Sequence, residues 1–164
     1  MRILVLSDSH STMRYMRLAI DTLHPDAVIH LGDHYDNAEA LAEEYPHIRF
    51  HMLPGNCDRY RCPPDTPQFF CYCIGGVKFY MTHGHLHGVK SSTVRLIAEA
   101  RQMNAQAALY GHTHAADCLQ ENGMWIVNPG ACNSAEGSVA VIETADNAIR
   151  GCEILRIRDL EETK

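Results

Sequence analysis

The chain has 164 residues, a length that favours one domain with a buried hydrophobic core. Its net charge of −6 argues against general binding to nucleic acid, and no apolar run reaches the ~20 residues that a membrane span needs. Seven cysteines without a C-x-x-C pair, and an N-terminus without a signal-peptide cleavage site, predict reduced thiols in a cytoplasmic protein.

The first third of the chain alternates predicted strands and helices. Strands are predicted at residues 2–6, 27–31 and 48–53. The first helix keeps an apolar face from Met13 to Leu23, with Ser11 as its N-cap. The second begins at Asp36, with Glu39 three residues later as in a capping box. This order is typical of a parallel sheet with helical crossovers.

The rest of the chain is richer in strands. A hairpin with a Gly75-Gly76 turn joins residues 68–74 to 77–82, a helix is predicted around 92–104, and strands follow at 107–110 and 124–127. A last hairpin joins residues 138–143 to 149–157, and the final four residues are predicted to be a frayed tail. One doubly wound sheet does not accommodate nine or ten strands and three helices. The predicted fold class is therefore α/β, with two packed mixed β-sheets flanked by helices in a single domain, residues 1–164.

Polar side chains follow most of the predicted strands. The stretches are SDSH, GDH, PGNCD, HGHLH, GHTH and NPGA, in chain order. In open α/β sheets, ligands bind beyond the carboxyl ends of the strands. Each pattern alone is weak, because an isolated strand-end histidine is more often a surface residue than a ligand. The first five of these patterns, in one order, favour a shared site.

The residue types at these strand ends favour metal binding. Carboxylates, imidazoles and an amide without a thiolate suit Mn²⁺, Fe²⁺, Ni²⁺ or Zn²⁺ rather than a structural zinc site. Seven candidate ligands are too many for one tetrahedral ion and fit two ions that share a carboxylate, ~3.5–4 Å apart. These candidates are Asp8, His10, Asp33, Asn56, His83, His112 and His114.

The ordered set D-x-H, G-D, G-N-x-D, H-G-H and G-H-x-H resembles the calcineurin-like metallophosphoesterases, and within them the small YfcE-type phosphodiesterases, a branch that also contains the retromer subunit Vps29. The resemblance covers residues 1 to about 142 and implies two β-sheets flanked by helices. It assigns Asp8, His10 and His114 to a first ion. It assigns Asn56, His83 and His112 to a second ion, with Asp33 bridging the two. Gly111 is expected to give the backbone the freedom to turn there.

The stretch Asn56, Cys57 and Asp58 is the predicted catalytic segment, and it departs from the family at one position. Many family members carry a histidine where this chain has Cys57, and that histidine protonates the leaving group. General-acid catalysis is therefore an open question here. Three further histidines are not motif ligands and face either substrate or water: His34, His85 and His87.

The resemblance implies a dinuclear metal-dependent phosphodiesterase, in which a hydroxide that bridges two ions attacks the phosphorus of a small phosphate ester. Mn²⁺ is the first choice of metal, with Ni²⁺, Fe²⁺ and Zn²⁺ as alternatives. The alternative function is a Vps29-like protein-interaction scaffold with a retained metal site, but every ligand position is filled, which favours catalysis. A metal-dependent amidohydrolase is disfavoured, because that class opens with H-x-H on a barrel of ~250 residues. No membrane partner is expected, and the sequence leaves self-association into a homo-oligomer open.

Overall fold

The computed structural model describes residues 1–162, so Thr163 and Lys164 of the predicted frayed tail lie outside the described residues. The strands within that range are β1 (Arg2–Leu6), β2 (Ala27–His30), β3 (Arg49–Met52), β4 (Phe69–Ile74), β5 (Val77–Thr82), β6 (Ala107–Leu109), β7 (Asp117–Glu121), β8 (Met124–Asn128), β9 (Ser138–Ala145) and β10 (Ala148–Arg156). The helices are α1 (Met13–Leu23), α2 (Tyr35–Glu44), α3 (Val94–Gln102) and α4 (Ile157–Glu161), with a 3₁₀ turn at His85–His87.

These strands form two mixed sheets of five strands each, which confirms the predicted fold class. The first sheet has the order β10-β9-β1-β2-β3, and the second has the order β4-β5-β6-β8-β7. Within the first sheet β1, β2 and β3 are parallel, and within the second sheet β5, β6 and β8 are parallel. The carboxyl ends of each parallel set therefore lie side by side, and Leu6 pairs with His30 while His30 pairs with Met52.

The core has three layers because both faces of each sheet are covered. Ile3 and Val5 pack between the two sheets, against side chains such as Phe79 of the second sheet. Leu4, one position along β1, faces the opposite way, toward the helices that cover the first sheet. A third cluster, with Leu96 of α3, covers the outer face of the second sheet. This double burial explains why β1 is a continuous apolar run rather than an alternating one.

Two short elements are absent from the sequence-based prediction. Strand β7 was not predicted because most of its side chains are exposed and it lacks an apolar alternation. Its turn into β8 is Asn122-Gly123, with φ of 48° and 80°, and this dipeptide is a strong hairpin signal. Helix α4 was also not predicted, and Ile157, predicted as strand, is its first residue. Among residues 1–162, no helix has the length and apolar character to cross a bilayer.

The predicted starts of the first two helices are wrong by one residue. Thr12, not Ser11, is the N-cap of α1, and the hydroxyl of Ser11 instead lies 3.1 Å from Nδ1 of His34. Helix α2 begins at Tyr35 with His34 as its N-cap, so the capping box at Asp36 does not form. The acceptor that caps α2 comes from a distant part of the chain, as described below.

Candidate metal centre

Asp8, two residues beyond β1, is a fully buried carboxylate at the centre of the site. Its Oδ2 accepts hydrogen bonds from the Ser7 hydroxyl at 2.5 Å and from the backbone N–H of His112 at 3.1 Å. Its Oδ1 lies 3.1 Å from Nε2 of His114 and has no hydrogen bond from any residue in the described range. A buried carboxylate oxygen without a donor is costly unless a cation or water reaches it, so the residue fits a metal ligand.

The first predicted ligand set comes together in the structure. The ligand atoms of Asp8, His10 and His114 all lie within 4.8 Å of one another. Nε2 of His10 is 3.2 Å from Nε2 of His114. Two ring nitrogens and a carboxylate oxygen that converge at this spacing suit one divalent ion.

The second set centres on His83, whose orientation is fixed by its own hydrogen bond. Nδ1 of the buried His83 lies 2.7 Å from the carbonyl oxygen of Leu31, which can only accept, so Nδ1 carries the proton. The other ring nitrogen, Nε2, faces Oδ1 of Asn56 at 3.1 Å and Oδ1 of Asp33 at 3.6 Å. Hydrogen bonding of the second ring nitrogen is the usual way in which a protein orients a metal-binding histidine.

The second compact group in the structure consists of Asp8, Asp33 and His83, again within 4.8 Å. The residue common to both groups is thus Asp8, whereas the resemblance assigns the bridge to Asp33. His112 joins neither group, although its ring centroid is 5.0 Å from that of His83. The bridging role of Asp33 and the ligand role of His112 stay predictions.

The electrostatics of the site favour the forms that bind cations. Burial alone would raise the pKa of Asp33, but the adjacent His83 and the backbone N–H of Cys57 outweigh it and lower the pKa. Burial and the neighbouring His83 lower the pKa of both His85 and His112. Ionised carboxylates and neutral imidazoles are the protonation states that metal binding requires.

Five of the seven predicted ligands have a left-handed backbone, which sequence reasoning did not anticipate. The φ values are 56° for Asp8, 44° for His10, 58° for Asp33, 66° for His112 and 60° for His114. This region is sparsely populated by residues other than glycine, and it tends to occur at functional sites. The chain therefore turns sharply after β1, β2 and β6, the strands that these five ligands follow.

Gly111 is needed for close approach rather than for a turn. Its φ is not among the positive ones, so the expected conformational role is wrong. A Cβ at this position would overlap the hydroxyl of Ser7 and lie 2.9 Å from Oδ2 of Asp8. The loop that carries His112 and His114 can therefore pass beside Asp8 only because residue 111 has no side chain.

Asp58, predicted to be catalytic, is fully buried and binds backbone N–H groups. Its Oδ1 accepts from His34 at 2.7 Å and from Tyr35 at 3.0 Å, and its Oδ2 accepts from Gly55 at 2.8 Å. The carboxylate thereby caps α2, where negative charge also complements the helix dipole. This geometry suits a residue that positions the Asn56 loop, and the catalytic role of Asp58 stays a prediction.

Cys57 is exposed at the edge of the site. Nδ2 of Asn56 lies 3.3 Å from its Sγ, and its backbone N–H donates to Asp33 at 2.9 Å. Burial of the thiol and the negative charge of Asp33 raise the pKa of Cys57, so the thiol is protonated at neutral pH.

Asn128 is a positioning residue that the sequence-based ligand set did not include. This buried amide donates to the carbonyl oxygen of Gly111 at 3.0 Å and to the hydroxyl of Thr113 at 2.9 Å, and it accepts from the N–H of Gly130 at 2.9 Å. It thus fixes the loop of His112 and His114 from the end of β8. The NPGA stretch after a predicted strand was the available signal.

The sequence matches the model of the calcineurin-like phosphoesterase superfamily domain over residues 1–147. The chain belongs to this family, as the motifs predicted. It is 30% identical over 135 residues to "Probable metallophosphoesterase YsnB" of Bacillus subtilis, an alignment that covers 80% of this chain and 75% of YsnB. It is 25% identical over 148 residues to "Phosphodiesterase MJ0936" of Methanocaldococcus jannaschii, covering 80% and 84% of the two chains.

Solved structures support the same fold. A protein of Streptococcus pneumoniae, described as a predicted phosphoesterase, superimposes with a TM-score of 0.74 at 26% identity, over 96% of this chain and 90% of that one. Vacuolar protein sorting 29 of Cryptosporidium parvum superimposes with a TM-score of 0.70, over 94% and 97% of the two chains. At 17% identity the second likeness concerns the fold alone.

Proposed function

We propose that the chain is a dinuclear metal-dependent phosphodiesterase that acts on small phosphate esters. The observation that carries the proposal is the pair of adjoining ligand groups, one with His10 and His114 and the other with Asp33 and His83, joined through the buried Asp8. Two converging groups with oxygen and nitrogen donors suit two divalent ions, and Mn²⁺ is our first choice for them. The names of the relatives YsnB and MJ0936 support phosphoesterase chemistry and, for the second, a diester substrate.

The candidate ligands fall into two groups, and each group would hold one ion. Asp8, His10 and His114 would hold one ion, and Asp33, Asn56, His83 and His112 would complete the second position. Two divalent ions placed here would activate water for in-line attack on phosphorus and offset the charge that develops on the phosphoryl oxygens. The hydrogen bond from His83 to Leu31 and the bonds of Asp58 and Asn128 hold the ligand loops in place before substrate arrives.

The proposal is tested by hydrolysis of bis-p-nitrophenyl phosphate with metal-stripped and reloaded protein. EDTA treatment should abolish hydrolysis, and Mn²⁺, Ni²⁺, Fe²⁺ or Zn²⁺ should restore it to different extents. Asp33→Asn should lower kcat/KM by at least about 100-fold, because it weakens a metal ligand. The matched control is Asp36→Asn, a carboxylate nearby in sequence that is half-buried and paired with Arg61.

Full activity in rigorously metal-free protein would overturn the dinuclear mechanism. Absence of hydrolysis with every metal, on both diesters and monoesters, would favour the Vps29-like scaffold instead. The filled ligand set is the reason that we rank this alternative second.

A further inference from the structure

A cavity of about 390 Å³ adjoins the metal centre on the side of the second ligand group. Asn56 and His85 are among its lining residues, and the ring centroid of His85 is 5.4 Å from that of His83. Pro54, Pro63 and Pro64 form apolar walls. A volume of this size accommodates a small organic group, and rigid proline walls keep it open without substrate.

Two polar side chains that line this cavity, the exposed Arg59 and the half-buried His85, have unpaired groups. Most arginines of the chain form ion pairs, such as Arg17 with Glu44 and Arg61 with Asp36. Arg59, which lines the cavity, has no ion pair with any residue in 1–162, and its only recorded contact is with the ring of Tyr60, at 5.5 Å. Nδ1 of His85 is also buried without a hydrogen-bond partner in the described chain.

A second cavity also adjoins the metal centre. The two cavities differ in the charge of the side chains that line them. The other cavity, about 700 Å³, lies across the 57–63 loop and is lined by Cys57, Asp36 and Glu39. Its one arginine, Arg61, is already neutralised by Asp36 at 2.7 Å. An anionic group would be repelled there. The cavity of Arg59 also has the carboxylate of Asp58 in its wall, but the oxygens of Asp58 already accept hydrogen bonds from backbone N–H groups. Arg59 has no such partner and can form charge-assisted hydrogen bonds with an anion.

We propose that the cavity of Arg59 binds the organic ester group of the substrate and selects groups that carry a second anion. The scissile phosphate then lies at the metal centre, the body of the ester group packs on the prolines, and its anionic substituent contacts Arg59. His85 and Gln68, which also line the cavity, supply further donors. This inference rests on the proposed phosphodiesterase function and names a substrate class for it.

A matched pair of diesters tests the inference. One is 4-nitrophenyl 3-carboxypropyl phosphate, and the other is its 3-carbamoylpropyl analogue, which has the same shape without the second charge. Both release 4-nitrophenolate, so the chemical step has the same leaving group. The wild type should prefer the carboxylate by about three- to tenfold in kcat/KM, mainly through KM, as expected for a partly solvated ion pair.

Variants of the protein test whether Arg59 causes the preference for the carboxylate diester. Arg59→Gln should remove it by lowering kcat/KM more for the carboxylate diester than for the carbamoyl diester, and Arg59→Lys should retain part of it. Arg49→Gln, on β3, removes the same charge from another arginine without an ion pair in residues 1–162 and should keep the full preference. Equal kcat/KM on the two diesters in the wild type, or an unchanged preference in Arg59→Gln, would overturn the inference but not the proposed function. Failure to hydrolyse either diester with any metal would overturn the proposed function itself.

Discussion

At the scale of single residues, Cys57 stands at the position where the family resemblance implies a histidine. The raised pKa keeps the thiol protonated, yet a thiol is a weak hydrogen-bond donor compared with an imidazolium. Proton transfer matters most when the leaving group is a strongly basic alkoxide, while a nitrophenolate leaves unaided. We therefore expect this chain to favour activated aryl esters over alkyl diesters.

Substitution of Cys57 should separate these two kinds of substrate. Cys57→Ala should barely slow hydrolysis of bis-p-nitrophenyl phosphate. Cys57→His should raise kcat/KM for alkyl diesters by about 10²-fold, the low end of general-acid effects, if the imidazole reaches the leaving group. The measurement is kcat/KM across diesters of graded leaving-group pKa, with Cys73→His, an exposed cysteine on β4, as the control for adding an imidazole. If Cys57→Ala loses activity equally on every substrate while holding two metals, Cys57 instead positions Asn56.

The candidate ligands were predictable from sequence because strand ends converge in a parallel sheet and because the motifs are specific. His83 and Asp8 were both found in this way. The hydrogen bonds and close contacts that hold these ligands in place were not predictable, since they join residues that are remote in sequence. The bond from His112 N–H to Asp8, the need for glycine at 111 and the capping role of Asp58 become visible only in three dimensions.

At the scale of elements, burial decided which predictions succeeded. A strand such as β1, packed on both faces, carries a continuous apolar run that predicts it well. The edge strand β7 and the short helix α4 carry few apolar residues and were missed. The start of α2 was misplaced because its cap, Asp58, lies more than twenty residues away in sequence, where a local capping rule does not look.

This tertiary cap predicts a defined loss in Asp58→Asn. An amide keeps one acceptor oxygen, but its NH₂ group would face a backbone N–H that now donates a hydrogen bond to Asp58. The free energy of unfolding should fall by about 1–3 kcal/mol, the cost of unsatisfied buried polar groups. Affinity for Mn²⁺ should fall too, because the Asn56 loop loses its anchor. Urea denaturation of the metal-free protein and calorimetric titration with Mn²⁺ measure the two effects, and Asp65→Asn, an exposed carboxylate on the following loop, serves as control. An unchanged free energy of unfolding in Asp58→Asn would contradict the role of Asp58 as the cap of α2.

At the scale of the whole molecule, metal should stabilise the fold, since Asp8, Asp33 and His83 meet inside it and come from both sheets. A ligand that binds only the native state at about 100 times its Kd adds about 2.7 kcal/mol of stability. For a chain of this size that corresponds to a rise in Tm of about 5–10 °C. Asp33→Asn should show a smaller rise, and Asp36→Asn should match the wild type. Thermal denaturation with and without saturating Mn²⁺ measures the rise in Tm. An unchanged wild-type curve would count against a preformed dinuclear site.

The left-handed backbone at five ligand positions also governs how the site can change in evolution. Aspartate and histidine at such angles cost about 1 kcal/mol each relative to glycine, so these positions oppose folding even as they serve the metal. A lineage released from catalysis would relieve this strain by drifting to glycine at residues 10, 112 and 114. Asp8 and Asp33 differ, because they also accept hydrogen bonds from the backbone N–H groups of His112 and Cys57, which glycine would leave unpaired. Loss of the centre should therefore begin at its histidines, where only selection for the ligands themselves opposes the change.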